Sequence, residues 1–61
     1  RVLVGYVRAG RVARGQSPTQ LAGRRWNDPR TYYRMPSGRA RSGNEIDQRK
    51  VAPGTLVYYQ P

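Results

Sequence analysis

The sequence contains no cysteine and no histidine, and only three of its 61 residues are acidic. The absence of both residue types excludes a disulfide framework and a zinc site built on those ligands, on which many small domains depend. The three carboxyl side chains belong to Asp28, Glu45 and Asp47, and their spacing does not suit general acid–base catalysis. We therefore predict that the protein is not an enzyme, and we expect no cofactor and no small-molecule substrate.

Long hydrophobic runs are also missing. The longest apolar stretch is Val2-Leu3-Val4, extended through Gly5 to Val7, whereas a membrane-spanning helix needs roughly 20 apolar residues. A secretory signal needs an apolar region of about 7–15 residues after a basic start, and none is visible. Five prolines and seven glycines also interrupt any continuous amphipathic helix. The sequence therefore predicts no membrane partner and no secretion by a visible signal.

Positive charge is what the sequence has in excess. Lysine and arginine together number 12, the net charge is +9, and Lys50 is the one basic residue that is not arginine. Arginine can hold phosphate with two parallel hydrogen bonds, and it stacks on flat rings. We therefore expect the protein to lie against a negatively charged partner, either nucleic acid or an acidic protein surface.

The predicted secondary structure is short and interrupted. Runs of β-branched and aromatic residues favour strands. Two capping boxes, Ser17 with Gln20 and Ser42 with Glu45, favour helix starts. The predicted strands span about 2–7, 31–35 and 55–60, and the predicted helices span about 18–26 and 43–50. The basic segment Arg39–Gly43 is predicted to be a flexible loop.

The expected fold class follows from the small size of the chain, which can hide only about 60% of the surface that its unfolded form exposes. We expect one small domain over residues 1–61 that is mostly irregular and extended, with short strands and one or two short helices, draped on a larger partner. Apolar ends at 1–7 and 55–60 would flank a basic middle at 8–50. The alternative is a small mixed β-barrel that folds on its own.

Arginine alternates with flat side chains in the middle of the chain. Single-stranded nucleic acid binds such surfaces with its phosphates on the cations and its bases on the rings, at about 1–3 kcal/mol per stacked base. The candidate nucleic-acid-binding residues are Arg24, Arg25, Trp26, Arg30, Tyr32, Tyr33, Arg34, Arg39 and Arg41. In the alternative interpretation, the rings of this set are core residues and the arginines form a solvated rim. No recognition helix is visible, so sequence-specific readout is not expected.

The apolar ends are candidate docking segments for a larger protein. The residues concerned are Val2, Val4, Tyr6, Leu56, Val57, Tyr58 and Tyr59. A strand that is apolar on both faces is typical of one that is covered on both sides, and so small a chain has little of its own to cover it. We therefore expect these ends to dock on a capsid protein or on a protein of a ribonucleoprotein assembly.

Two segments carry a resemblance in composition to a known family. Arg39–Gly43 and Leu56–Pro61 resemble segments of the small arginine-rich DNA-packaging proteins inside icosahedral single-stranded-DNA phages. The resemblance implies a structural protein of the virion interior, whose arginines neutralise phosphates and whose aromatic C-terminal end contacts the coat protein. The apolar start of this chain departs from that family. Two alternatives stay open: a small ribosomal protein that binds ribosomal RNA, and a small β-barrel that binds an acidic protein surface.

Overall fold

The structure of the protein is a computed structural model, and it describes residues 4–61. Its elements, in chain order, are strand β1 (Val7–Arg11), helix α1 (Pro18–Ala22), a 3-10 helix (Gly23–Asn27), strands β2 (Tyr32–Arg34) and β3 (Ala40–Ser42), two 3-10 turns (Gly43–Glu45 and Gln48–Lys50) and strand β4 (Leu56–Tyr59). The rest of the described chain consists of turns and irregular segments. The predicted class, short strands and short helices in a largely irregular chain, is confirmed.

The four strands form one antiparallel sheet in the order β1-β4-β2-β3. Because β4 lies between β1 and β2, the sheet joins the two ends of the sequence. The edge strands β1 and β3 do not pair with each other, so the sheet is open and the β-barrel alternative is wrong. The strands of residues 4–61 pair among themselves, and the sheet forms without a strand from another protein.

One face of the sheet carries the hydrophobic core, and we call it the core face. The side chains of Tyr33 and Val57, which are paired across β2 and β4, are completely buried. Val12 and Ala22 complete the buried cluster. The partly buried residues packed against this cluster are Ala9, Leu21, Trp26, Met35, Ile46 and Val51. The helical segments therefore contribute their apolar side chains to this one face.

Both predicted capping boxes form. The backbone N–H of Ser17 donates to Oε1 of Gln20 at 2.8 Å, and that of Ser42 donates to Oε1 of Glu45 at 3.1 Å. The first box starts α1, which gives way to a 3-10 helix where Gly23 adopts a φ of 58°. The predicted helix over 18–26 is therefore present, but only its first half is α-helical.

The predicted helix over 43–50 is replaced by two separate 3-10 turns. Between them, Ile46 and Asp47 are extended, with φ values of −95° and −105° and ψ values of 154° and 113°. The extended backbone allows Ile46 to pack against the core cluster. Asp47 then starts the second turn by accepting a hydrogen bond from the N–H of Arg49 at 3.0 Å. Burial of one isoleucine thus outweighs the helical pattern of a short polar segment.

The first strand lies further along the chain than the predicted range of 2–7. β1 spans Val7–Arg11, and residues 1–3 of the predicted strand lie outside the described residues. The pairing with β4 is continued by Val12, which is buried and exchanges two backbone hydrogen bonds of 2.8 Å with the Gly54–Thr55 segment. This buried valine, rather than the more apolar run before it, determines where the strand pairs.

The segment predicted as a flexible loop, Arg39–Gly43, contains the edge strand β3. It pairs with β2 through a hairpin in which the N–H of Met35 donates to the carbonyl of Arg39 at 2.8 Å. At the end of β3, a Cβ on Gly43 would collide with the backbone carbonyl oxygens of Asp28 and Trp26. The close approach of these segments therefore requires glycine at position 43.

Candidate nucleic-acid interface

The face of the sheet opposite the core is rich in arginine. Side chains alternate between the two faces along a strand, and directly paired residues share a face. Because Tyr33 and Val57 point into the core, the next residues along their strands, Arg34 and Leu56, point the other way, and these two are paired. We call the surface formed by Arg8, Arg11, Arg34, Leu56 and Tyr58 the arginine face.

A β-bulge at Ala9 brings two of these arginines onto the same face. Arg8 pairs with Tyr58, and Arg11 pairs with Leu56. The arginines are three positions apart, whereas their partners are two positions apart, so β1 contains one extra residue. Without the bulge, the regular alternation of a strand would turn one of the two arginines towards the core.

Glycine at position 10 permits the bulge. Its φ is 141°, a backbone conformation that residues with a side chain rarely adopt. A Cβ at this position would also lie only 3.2 Å from Cδ2 of Leu21 in α1. The backbone conformation and the packing of α1 on the sheet therefore both favour glycine here.

The arginine face presents guanidinium groups around a partly exposed ring. Its three arginines are exposed, and Leu56 and Tyr58 are half-buried. Arg11 and Arg34 flank Leu56 from the two neighbouring strands, so their backbones are roughly 10 Å apart, because adjacent strands are spaced by about 4.8 Å. The ring of Tyr58 is tilted by 55° against that of Tyr32, with 6.0 Å between their centroids. A ring among cations at these spacings suits the phosphates and an unpaired base of a nucleic acid.

Acidic residues do not neutralise this face. None of the four strands contains Asp or Glu. Two of the three carboxylates form ion pairs in turns, Asp28 with Arg30 at 3.2 Å and Asp47 with Arg49 at 3.8 Å. The third, Glu45, accepts hydrogen bonds from Ser42, and within residues 4–61 no ion pair joins a carboxylate to Arg8, Arg11 or Arg34.

Local hydrogen bonds keep two of the acidic residues ionised. The side chain and the backbone N–H of Arg30 donate to Asp28 and lower its pKa. The backbone N–H and the hydroxyl of Ser42 donate to Glu45 and lower its pKa. Both negative charges belong to turns rather than to the strands.

The 3-10 helix that carries part of the predicted binding set lies on the core face. The hydroxyl of Tyr33 donates to the carbonyl of Trp26 at 2.8 Å, which ties this helix to the core side of the sheet. The guanidinium of Arg25 lies over the ring of Tyr59, 5.2 Å from its centroid. Four predicted binding residues in or next to this 3-10 helix therefore lie outside the arginine face: Arg24, Arg25, Trp26 and Arg30.

The rings that were predicted to stack on bases are buried or half-buried, two of them in or against the core and Tyr32 on the opposite side of the sheet. Tyr33 is fully buried, Tyr32 is 5% exposed, and Trp26 is half-buried against the core cluster. Burial raises the pKa of the Tyr33 hydroxyl to about 12. A base cannot stack on Tyr32 or Tyr33 in this fold: Tyr33 belongs to the core cluster, whereas Tyr32 points to the side of the arginine face and is buried there beside Tyr58. The more accessible ring is that of Tyr58, which the sequence suggested only as a docking residue.

A second basic surface lies beside the β2–β3 hairpin. It is a groove of about 680 Å³ lined by Met35, Pro36, Arg39, Arg41, Lys50 and Ala52, and we call it the basic groove. It brings together the predicted residues Arg39 and Arg41 and adds Lys50. Arg41 pairs with the buried Tyr33, so its side chain leaves the sheet on the core side, and its guanidinium donates to the carbonyl of Ala40 at 3.1 Å. The basic groove and the arginine face therefore lie on opposite sides of the sheet.

The four predicted docking residues of β4 have contacts within the chain. Val57 is fully buried, so it belongs to the protein's own core and is not available to a partner. Tyr59 lies under Arg25, and Leu56 and Tyr58 belong to the arginine face. Because β4 has a strand on each side, its backbone cannot pair with a strand of another protein.

The predicted docking residues at the start of the chain lie at or near the surface where they are described. Val4 is 79% exposed, and Val7, the first residue of β1, is 40% exposed. Tyr6 is half-buried, and Val2 lies outside the described residues. The exposed large apolar side chains of residues 4–61 therefore lie at the start of the edge strand β1.

Three cations of the two basic surfaces were not singled out from the sequence: Arg8, Arg11 and Lys50. The odd spacing of Arg8 and Arg11 predicts opposite faces of a regular strand. The available signal was Gly10 between them, since glycine inside a strand often marks a bulge. No sequence pattern relates Lys50 to the cations of the β2–β3 hairpin.

No family model, curated protein or solved structure matches the chain. No helix within residues 4–61 is both long and apolar enough to cross a bilayer. A proposal for the function therefore depends on the geometry of the arginine face and the basic groove.

Proposed function

We propose that this protein is a non-enzymatic, structural nucleic-acid-binding component of a nucleoprotein assembly. The observation that carries the proposal is the arginine face, where the β1 bulge sets Arg8 and Arg11 beside Arg34 around the ring of Tyr58. Such a surface attracts phosphates, offers one ring to a base, and holds no carboxylate on its strands that would repel a polyanion.

Phosphate contacts would dominate the affinity. If three guanidinium groups neutralise phosphates of a single strand, the affinity falls with salt at a log–log slope of about −2, since each contact contributes about −0.7. Phosphate contacts carry no sequence information by themselves. Binding at this face is therefore salt-sensitive and independent of base sequence.

Tyr58 gives the surface a preference for unpaired bases. Its half-buried ring lies beside Arg8 in the sheet, where a base can stack while the guanidinium holds a neighbouring phosphate. Stacking of this kind contributes about 1–3 kcal/mol per base. The bases of a duplex are already stacked on one another, so the proposal includes a preference for single strands over duplex.

The assembly that we propose is a virion, with this protein inside the shell. The support for this setting is the resemblance in composition to DNA-packaging proteins, together with exposed Val4 and Val7, which offer an apolar contact to a shell protein. A ribosomal protein would use the same arginine face on RNA, so the two settings share one binding mechanism.

The fluorescence anisotropy of a labelled oligothymidylate, measured over a range of salt concentrations, tests the proposal. The arginine-face variant carries Arg8→Gln, Arg11→Gln and Arg34→Gln. It should bind more weakly than the natural chain, because the three phosphate contacts of this face are lost.

A matched control removes the same charge from other places. The control variant carries Arg14→Gln, Arg24→Gln and Arg49→Gln, which are exposed and lie outside both basic surfaces. Each variant loses three positive charges from a net charge of +9. The control should keep the affinity and the salt slope of the natural chain. Equal losses in the two variants would show that net charge alone attracts the nucleic acid and would contradict the proposal.

An acidic protein surface is a second candidate partner. The observation in its favour is that the sheet is complete within the chain, as an independent interaction module requires. The variant Tyr58→Leu separates the two partners, because stacking requires a nucleobase. It should weaken binding of oligothymidylate by about tenfold and leave binding of polyglutamate unchanged. Tighter binding of polyglutamate than of oligothymidylate at the same salt would favour the protein partner.

A further inference from the structure

The side chains of the two basic surfaces point to opposite sides of the sheet. Arg34 and the buried Tyr33 are consecutive on β2, so their side chains point to opposite faces. Arg34 belongs to the arginine face, whereas Arg41, the partner of Tyr33 in the ladder, lines the basic groove. A single polyanion lying flat on one face of the sheet therefore does not contact both sets of cations.

The basic groove has the chemistry of a phosphate site in its own right. Three cations, Arg39, Arg41 and Lys50, surround an apolar floor that includes Met35, and no carboxylate lines the groove. Arg39 and Lys50 are exposed, and Arg41 is held by its contact with a backbone carbonyl. The volume of about 680 Å³ falls within the range of about 300–1,000 Å³ that accepts a group of small-molecule size, such as a nucleotide unit.

The negative charge nearest to the groove does not cancel these cations. Arg41 helps to lower the pKa of Glu45, but the larger causes are the hydrogen bonds that Glu45 accepts from Ser42. Asp47 is paired with Arg49, which is outside the groove. Glu45 therefore interacts with one cation of the groove, Arg41, and leaves Arg39 and Lys50 without an acidic partner among the ion pairs of residues 4–61.

We propose that one chain binds two segments of nucleic acid at once, one on the arginine face and one in the basic groove, and thereby bridges them. The inference rests on the proposed function, because it assigns the same kind of ligand to a second surface. It adds an activity that a single binding face cannot have, which is to draw separate segments of a nucleic acid together.

The thickness of the molecule makes this bridging electrostatically feasible. The chain measures 28 × 24 × 18 Å along its principal axes. The Debye length at physiological ionic strength is about 8 Å, so charges separated by more than this are largely screened from one another. Two phosphate backbones that lie on opposite sides of the sheet, separated by more than this length, repel each other only weakly, while each contacts its own cations directly.

A bead-capture assay tests the bridging. One oligothymidylate is fixed to beads, the protein is added below saturation, and capture of a second, fluorescent oligothymidylate from solution is measured. The groove variant Arg39→Gln/Lys50→Gln changes two exposed residues and should fold normally. It should still bind the bead-bound strand but capture at least about tenfold less of the second strand. The control Arg14→Gln/Arg24→Gln removes the same charge and should capture as the natural chain does.

The outcomes separate this inference from the proposed function. If the natural chain binds the beads but captures no second strand, or if the groove variant captures as much as the natural chain, bridging is refuted and the proposed function stands. If the chain does not bind the beads at low salt, the proposed function itself fails. Native mass spectrometry distinguishes bridging by one chain from bridging by associated chains: a complex of one chain with two oligonucleotides supports the inference, and complexes that need two chains overturn it.

Discussion

Arg8 and Arg11 point to the same side of the sheet although three positions separate them in the sequence. They achieve this because Ala9 is an extra residue in β1, so that Arg8 pairs with Tyr58 and Arg11 with Leu56, two positions along β4. In a regular strand, one of these two arginines would point at the core. Because of the one inserted residue, both belong to an exposed cationic surface.

Deletion of Ala9 tests this register. The shortened strand would pair regularly, with Arg8 still opposite Tyr58 and Arg11 still opposite Leu56, so the arginine face would be preserved. We expect the affinity for oligothymidylate to stay within about twofold of the natural value. The free energy of unfolding should fall slightly, because Ala9 is partly buried against the core cluster. A loss of affinity as large as that of Arg8→Gln would show that the face assignment is wrong.

Gly43→Ala should destabilise the fold strongly. Its φ is not in the left-handed region, but a methyl group there would collide with backbone atoms of Asp28 and Trp26, which cannot move aside as a side chain would. We expect a loss of about 2 kcal/mol or more in the free energy of unfolding, measured by urea denaturation.

Gly38→Ala is the comparison for this glycine. Gly38 has a φ of 92° and open space around its Cβ position, so only the backbone conformation opposes the substitution. A loss of about 1 kcal/mol is expected. A smaller loss at position 43 than at position 38 would contradict the close approach described here.

Alkaline pH should weaken the fold through Tyr33. Its pKa is raised to about 12 by burial, against 10.0 for the group in water. As the pH rises from 10 towards 12, the unfolded chain releases this proton before the folded chain does, so the free energy of unfolding falls across this interval. Thermal unfolding followed by circular dichroism should show the midpoint falling over that interval.

The variant Tyr33→Phe isolates this effect from the other tyrosines. It loses the hydrogen bond to the carbonyl of Trp26, so at neutral pH it should be less stable by about 1 kcal/mol. Its unfolding midpoint should fall less steeply than that of the natural chain above pH 10. Identical slopes for the two proteins would show that the Tyr33 hydroxyl is accessible in the folded state.

Arg25 should matter for stability and not for binding. Its guanidinium lies over the ring of Tyr59, a contact that contributes about 0.5–1 kcal/mol at an exposed site. Arg25→Ala should lose about that amount in the free energy of unfolding, whereas Arg24→Ala should change it by less than about 0.5 kcal/mol. Both variants should keep the salt slope for oligothymidylate. A shallower slope in either variant would show that the 3-10 helix contacts the nucleic acid.

The strands whose own residues are buried were predicted correctly from the sequence. The strands that form because a neighbouring strand pairs with them were misplaced. Tyr32–Arg34 and Leu56–Tyr59 fall within the predicted ranges of 31–35 and 55–60, because their aromatic and β-branched residues are also the buried ones. β1 carries two arginines and a bulge, and β3 is a short basic edge strand. Both strands form because a neighbouring strand offers hydrogen bonds, and no local pattern shows that.

The fold divides the predicted binding set between the two basic surfaces and the rest of the molecule. Arg34 lies on the arginine face, and Arg39 and Arg41 lie in the basic groove. Tyr33 is needed for the core, because a chain of this size has few large side chains to bury. Tyr32 is buried on the other side of the sheet, beside Tyr58. Which arginines become neighbours depends on the strand order, which the local sequence does not encode, and on one bulge, for which Gly10 was the available signal.

The most direct test of the account is chemical-shift mapping of the isotope-labelled chain during titration with oligothymidylate at low salt. Both backbone amides and arginine Nε–H groups should be followed. The largest shifts should occur at Arg8, Arg11, Arg34, Leu56 and Tyr58, and they should disappear as salt is added. Shifts confined to the 3-10 helix Gly23–Asn27, with the strands unaffected, would contradict the account.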